Sequence, residues 1–149
     1  MLVHAVTPIL NVSDVSASIL WFERMGWHRG FAWNAGGMIA GAALENDRGP
    51  ATFGSVCAHG PGEREGPQIF LCKDGQGQRD PSPPKNANED DFGAVWMSWW
   101  VGDVDAAPAE VVKAGAEVVR QPVNEPWNVR EFLMRHPDGH CFRISGPVR

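Results

Sequence analysis

The sequence has no tyrosine, only 3 cysteines and no block of basic residues; 13 Lys and Arg are scattered among 18 Asp and Glu, for a formal net charge of −5. Each shortage excludes something. Cys57, Cys72 and Cys141 are odd in number, widely spaced and form no Cys-x-x-Cys pair, so no disulfide framework is expected and a reducing, cytoplasmic setting fits. Without a basic block nothing neutralises a run of phosphates, and nucleic acid is not an expected partner. No apolar run reaches the roughly 18 residues of a membrane helix. The N-terminal stretch also lacks the charged-then-apolar order of a signal peptide. Neither a membrane span nor membrane association is expected.

What is present is a core-forming chain. Its apolar fraction of 43% over 149 residues suffices for one compact domain or two packed half-domains. The acidic balance permits, without requiring, attraction of a cationic small molecule. Seven Trp is high for this length, and Trp96, Trp99 and Trp100 crowd one short segment. If that segment is a strand, alternation sends them to opposite faces.

The most informative feature is a repeat. Val6 to Trp27 and Val95 to Ala116 share one spacing: at a constant offset Val12, Asp14, Val15, Ala17 and Gly26 fall on Val101, Asp103, Val104, Ala106 and Gly115. Each copy reads as a strand, an Asp turn, a helix and a closing Gly. Two similar modules, each too small to bury a face alone, must pack together, and a ligand would sit where they face each other.

Along the chain, a strand is expected over 6–12 and a helix from about Asp14 to Met25, with Ser13 as N-cap and Gly26 as terminator. Val15, Ile19, Phe22 and Met25 recur at helical spacing and should face a sheet. Strands follow at 27–33, 38–44, 51–58 and 68–72, with Glu45 to Pro50 as loop. The polar segment 73–93 reads as a flexible linker between a first module, 1–72, and a second, 94–149. It holds the acidic run Glu89, Asp90 and Asp91. In the second module a strand over 95–101 precedes a helix from about Asp105 to Ala114. Pro108 is tolerable only in that helix's first turn. A strand over 116–120, a loop over 121–128, and a hairpin across His136-Pro-Asp-Gly139 complete the chain. The fold class is α+β: two βαβββ modules forming a curved mixed sheet around a central cleft, one helix per module outside.

Leu10 to Val15 reads LNVSDV and is followed by Trp21-Phe22 and Met25-Gly-Trp27; the C-terminal segment reads Arg130-Glu-Phe132 and then His136-Pro-Asp-Gly139. These motifs resemble the vicinal oxygen chelate superfamily, the glyoxalase/bleomycin resistance/dioxygenase fold, and most its bleomycin-resistance-like branch. In metal-using members, the resemblance implies a His or Gln on the first strand, seven residues before the Asp turn, and a Glu on the last strand. Here Thr7 and its repeat equivalent Trp96 take the first position and Arg143 the last, while the strand over 68–72 has no carboxylate. Indole has no usable lone pair, and guanidinium is a permanent cation that repels a metal ion. No metal, cofactor or catalytic residue is therefore expected. His4, His28, His59, His136 and His140 read as structural or solvated, the last two as turn residues. Cys72 and Cys141 lack a base partner that would make either a nucleophile.

By the resemblance and by alternation, Thr7, Ile9 and Asn11 of the first strand line the centre, with Trp96, Ser98 and Trp100 as their second-module equivalents. On the closing hairpin Cys141, Arg143 and Ser145 point inward, and pairing across the turn is expected to set Phe132 and Met134 on the same face. Trp33 and Phe70, with Phe31, add walls, and Trp127 caps the mouth. Such a pocket suits flat or cationic organic molecules. Arg143 either anchors the ligand or is neutralised by Glu131 or Glu45; Trp96 and Trp100 either stack on a ligand or simply fill the space. The expected function is metal-independent capture of a small organic molecule, in the manner of antibiotic sequestration. The resemblance also implies a homodimer. The alternative is a metal-dependent lyase, isomerase or dioxygenase with relocated ligands.

Overall fold

The computed structural model describes residues 1–59, 66–82 and 94–148. The acidic run at 89–91 and most of the expected linker lie outside them. The chain divides into two compact units, Met1–Gln76 and Gly77 onward.

In the first unit the elements are β1 (Ile9–Val12), α1 (Val15–Arg24), β2 (His28–Asn34), β3 (Gly37–Met38), β4 (Glu45–Asn46), β5 (Gly49–Pro50), β6 (Phe53–Cys57) and β7 (Gln68–Lys73). The sheet order is β1-β7-β6-β2-β3, with β1 and β7 parallel and the other pairs antiparallel; β4 and β5 form a separate ribbon. Asp14 caps α1, its carboxylate accepting the Ala17 N–H at 2.9 Å. Val15, Ile19 and Phe22 then align on one face and are wholly buried. Helix α1 packs on β6, β7 and β2. It meets the alternate residues Leu10, Val12, Ala32, Val56, Ile69 and Leu71, all at most 2% exposed. Each of the Leu, Ile and Val side chains among them contributes about 1.5–3 kcal/mol on leaving water. Among the described residues no helix of this unit covers the opposite face of the sheet.

A bulge at Gly30 sets what that open face presents. The β2–β6 register slips between Arg29 and Phe31. A Cβ on Gly30 would lie 2.2 Å from the Ser55 hydroxyl oxygen, and that hydroxyl accepts the Phe31 N–H at 3.2 Å. The slip turns Phe31 and Trp33 to the open face and Ala32 to the helix.

In the second unit the elements are β8 (Trp96–Trp100), α2 (Ala107–Lys113), β9 (Glu117–Asn124), β10 (Val129–Arg135) and β11 (Cys141–Pro147). The order β8-β11-β10-β9, with β8 and β11 parallel, repeats β1-β7-β6-β2. The sequence repeat is thus a topological one, and the fold is mixed α+β, with two helices among the described residues. Asp103 orders the turn that leads into α2, its carboxylate accepting the Asp105 and Ala106 N–H groups at 3.1 Å each, while the N-cap itself is Ala106 with no side-chain cap. Pro108 falls within the first turn, where its missing N–H costs nothing. Gly139 has φ +89°, and a Cβ there would strike the Asp80 carbonyl. Its bareness lets residues 80–82 lie along the hairpin: the Asp80 N–H donates to the Asp138 carbonyl at 3.0 Å, and Arg135 donates to the Asp80 and Ser82 carbonyls.

Several expectations shift. Asp14 rather than Ser13 is the N-cap. The strand expected at 38–44 shrinks to Gly37–Met38, because an Ala/Gly-rich segment offers little to pack, and the expected loop 45–50 holds the β4–β5 ribbon instead. Strand β9 runs on through Pro122, which an edge strand tolerates. Among the described residues no helix is long and apolar enough to cross a membrane.

Candidate functional site

Each unit offers one sheet face without a helix, and the side chains there follow from register. In the second unit the rows across β8, β11 and β10 are Trp96–Cys141–Arg135, Ser98–Arg143–Leu133 and Trp100–Ser145–Glu131. Trp96 and Trp100 are 45% and 69% exposed. Glu131, only 3% exposed, is the hub. Its carboxylate accepts from Arg143 at 2.8 Å, from the Ser145 hydroxyl at 2.9 Å and from Arg120 at 3.3 Å. Arg120 also pairs with Glu125. Two guanidinium groups and two carboxylates thereby neutralise one another. The Arg143 guanidinium carbon lies 4.9 Å from the centre of the Trp96 ring, a cation–π stack. Of the two roles open for Arg143, pairing with Glu131 is the one the geometry displays.

Two expected wall residues are elsewhere. Phe132 pairs with Ile144 and Met134 with Phe142, so both point to the α2 side of the sheet and are buried, at 0% and 1% exposure. The hairpin closes with Arg135 opposite Cys141. Directly opposed residues share a face, so the odd-numbered residues of β10 accompany Cys141, Arg143 and Ser145. Glu131 and Leu133 take the places expected for Phe132 and Met134. Trp127 stands 58% exposed in the turn between β9 and β10.

In the first unit the rows are Ile9–Phe70–Ser55–Phe31 and Asn11–Cys72–Phe53–Trp33, with Met38 opposite Trp33. Phe31, Phe53 and Phe70 form a triangle with centroid separations of 5.4 to 5.7 Å. Beside it lies an open concavity of about 570 Å³. Phe31, Trp33, Met38 and Phe53 wall it, and Thr52, Cys72 and Lys73 complete the lining. Ile9 is exposed, Asn11 buried, and Thr7 half-buried just ahead of β1.

The residues at the positions where the resemblance expects metal ligands do not fit a divalent cation. Thr7 alone cannot hold an ion, Trp96 offers a ring face and Arg143 brings a positive charge; Glu131, the carboxylate paired with Arg143, has donors on both oxygens. Among the described residues no three His, Cys, Asp or Glu side chains gather as a ligand set. His136 and His140, expected to be solvated turn residues, are 2% and 0% exposed instead. Residues 80–82 lie along the turn that joins them. The Nδ1 atoms of both accept backbone N–H groups, from Asp138 at 3.1 Å and from Val95 at 3.3 Å, which fixes both rings as neutral Nε2–H tautomers. Burial and the neighbouring His140 hold the His136 imidazole down to about 3, against the pull of Asp138. Burial pushes the Cys57 thiol up, more than the Gln68 side chain lowers it, so it is no ready thiolate.

Phe53, Met38, Thr52 and Lys73 were not among the expected site residues. Alternation in Phe53-Gly-Ser-Val-Cys57 carried the signal for Phe53, since Gly54 and Val56 take the helix side. Lys73 was assigned to the linker, yet it ends β7.

The sequence profile of the Glyoxalase/Bleomycin resistance protein/Dioxygenase superfamily matches residues 2–144. No curated protein sequence matches the chain. Among solved structures the chain is similar to TioX from Micromonospora sp. ML1, with TM-score 0.63 and 18% identity over 97% of this chain and 100% of that one. It is also similar to a glyoxalase-related enzyme from Clostridium phytofermentans, with TM-score 0.66 and 17% identity over 99% and 98%. A bleomycin-binding protein complexed with bleomycin gives TM-score 0.57 and 12% identity over 98% and 100%. At these identities the likeness is one of fold.

Proposed function

The chain belongs to the glyoxalase/bleomycin resistance protein/dioxygenase superfamily, and we propose that within it the protein is a metal-independent binder that captures a small organic molecule, as an antibiotic-sequestering protein does. The observation that carries this reading is the Glu131 hub. Trp96 and Arg143 stand at two of the positions, with Thr7 the third, where metal-using relatives are expected to hold their ion; Arg143 stacks on Trp96 and is paired with the carboxylate of Glu131. What remains for a ligand is aromatic surface: the exposed Trp96 and Trp100 in the second unit and the Phe31–Trp33–Phe53 concavity in the first. Such faces bind flat molecules by area and stacking and supply no Lewis acid or poised nucleophile. The bleomycin-binding relative of the same fold supports the reading by analogy. A homodimer in the cytoplasm is part of the proposal.

Tryptophan fluorescence titration with flat antibiotics, glycopeptide drugs and cationic aromatics, with and without EDTA, tests it. Saturable quenching that EDTA leaves unchanged is the expected result. No quenching by any member, or binding that vanishes with EDTA, would overturn it. Native mass spectrometry reads the expected dimer in the same samples.

A further inference from the structure

We propose that the concavity of the first unit takes a flat hydrophobic molecule carrying an anionic group, with Lys73 as the partner of that group. The proposal deepens the small-molecule reading above and rests on it.

The walls set the apolar part. Trp33 and Met38 are 41% and 64% exposed although both belong to one aromatic concavity. Large apolar side chains left in water on a concave face gain most from being covered. The Phe31–Phe53–Phe70 triangle holds its rings edge to face and tilted, so the wall is set before a ligand arrives. A volume of about 570 Å³ falls in the drug-sized range. Among the lining residues, the Thr52 hydroxyl and the Cys72 thiol are the uncharged polar side chains. A sugar or nucleotide would leave its own donors and acceptors unmatched there.

The charge sets the rest. Lys73 is the one charged residue in the lining, and no described residue forms an ion pair with it. Its backbone is fixed at the end of β7, the N–H donating to the Thr52 carbonyl at 2.9 Å. Aromatic faces alone would favour a cationic ligand. An ammonium lining the same concavity repels a cation and attracts an anion. The net negative charge of the whole chain does not reverse this, because salt screens distant charges. The class that fits is a planar aromatic acid: a carboxylate, phenolate or sulfonate on a fused ring system.

Anilinonaphthalene sulfonate and its neutral parent, phenylnaphthylamine, share one ring system and differ by the anion. Both are titrated against the full chain, read by dye fluorescence, alongside the cationic dye acridine orange. The sulfonate should bind about two- to fivefold more tightly than the parent at low salt, with the preference shrinking as salt is added. Lys73→Gln should bring the two affinities together, and Phe53→Ala should weaken both dyes. A preference that survives Lys73→Gln, or acridine orange binding more tightly than either dye, would overturn the anion assignment alone. If neither dye binds, or if Phe53→Ala and Trp33→Ala leave both unaffected, the first-unit concavity is not a small-molecule site and this proposal falls; the underlying reading falls only if the antibiotic panel also gives no quenching.

Discussion

The guanidinium of Arg143 stacks on the ring of Trp96 at 4.9 Å while donating to Glu131 at 2.8 Å. Both residues fall where the family resemblance expects metal ligands. One side chain, Glu131, holds the arrangement together from beneath, and it does so by accepting from two arginines and a serine.

Glu131 should therefore matter more to stability than any exposed ion pair in the chain. Glu131→Ala removes the buried carboxylate shared by Arg143, Arg120 and the Ser145 hydroxyl, and should cost about 3–5 kcal/mol, the usual effect of removing one partner of a buried pair. Arg130→Ala, which breaks the exposed pair with Asp105, should cost no more than about 1 kcal/mol. Urea denaturation of both variants checks the contrast; equal losses would deny Glu131 its central place.

Acid should unfold the protein through its buried imidazole. His136 is held neutral, down to about 3 in the folded state against an ordinary 6.5. The unfolded chain therefore binds a proton first as pH falls. The stabilisation is complete above pH ~6.5 and declines below it, by up to about 1.4 kcal/mol per pH unit, until pH approaches the folded value. His136→Gln should flatten that slope by roughly one proton. Denaturation midpoints across the acid range, wild type against variant, measure it; an unchanged slope would show that His136 is not the group responsible.

The bulge at Gly30 should be steric in origin. Gly30→Ala drives a methyl to 2.2 Å from the Ser55 hydroxyl oxygen and should cost about 1–3 kcal/mol. Ser55→Ala removes that oxygen and leaves the Ser55 Cβ at 3.4 Å, an ordinary contact. The double variant should recover part of the loss, giving a clearly non-additive cycle. Additive losses would mean the two positions do not share the space.

These residues also mark how far the sequence could be read. The repeat around Asp14 and Asp103 carried the topology, because a strand, a capped turn and a helix each leave a local pattern. The sheet-facing helix residues Val15, Ile19 and Phe22 were legible from period alone. Parity across a connection was not. Phe132 and Met134 went to the wrong face because a closure shifted by one residue inverts a whole strand. Phe31 and Trp33 were expected as walls, but the bulge at Gly30 that turns them to the open face was not legible, since it depends on Ser55 from a distant strand. His136 and His140 looked solvated because the segment that lies along their turn, 80–82, is remote in sequence. Glu131 was visible as one possible partner for Arg143, but its convergence with Arg120 and Ser145 is a property of three strands together.

Metal content tests the central claim most directly. Protein made without a His tag and purified without chelator is analysed by inductively coupled plasma mass spectrometry. The account predicts no stoichiometric zinc, iron, nickel or manganese. A stoichiometric transition metal in the wild-type protein would contradict it.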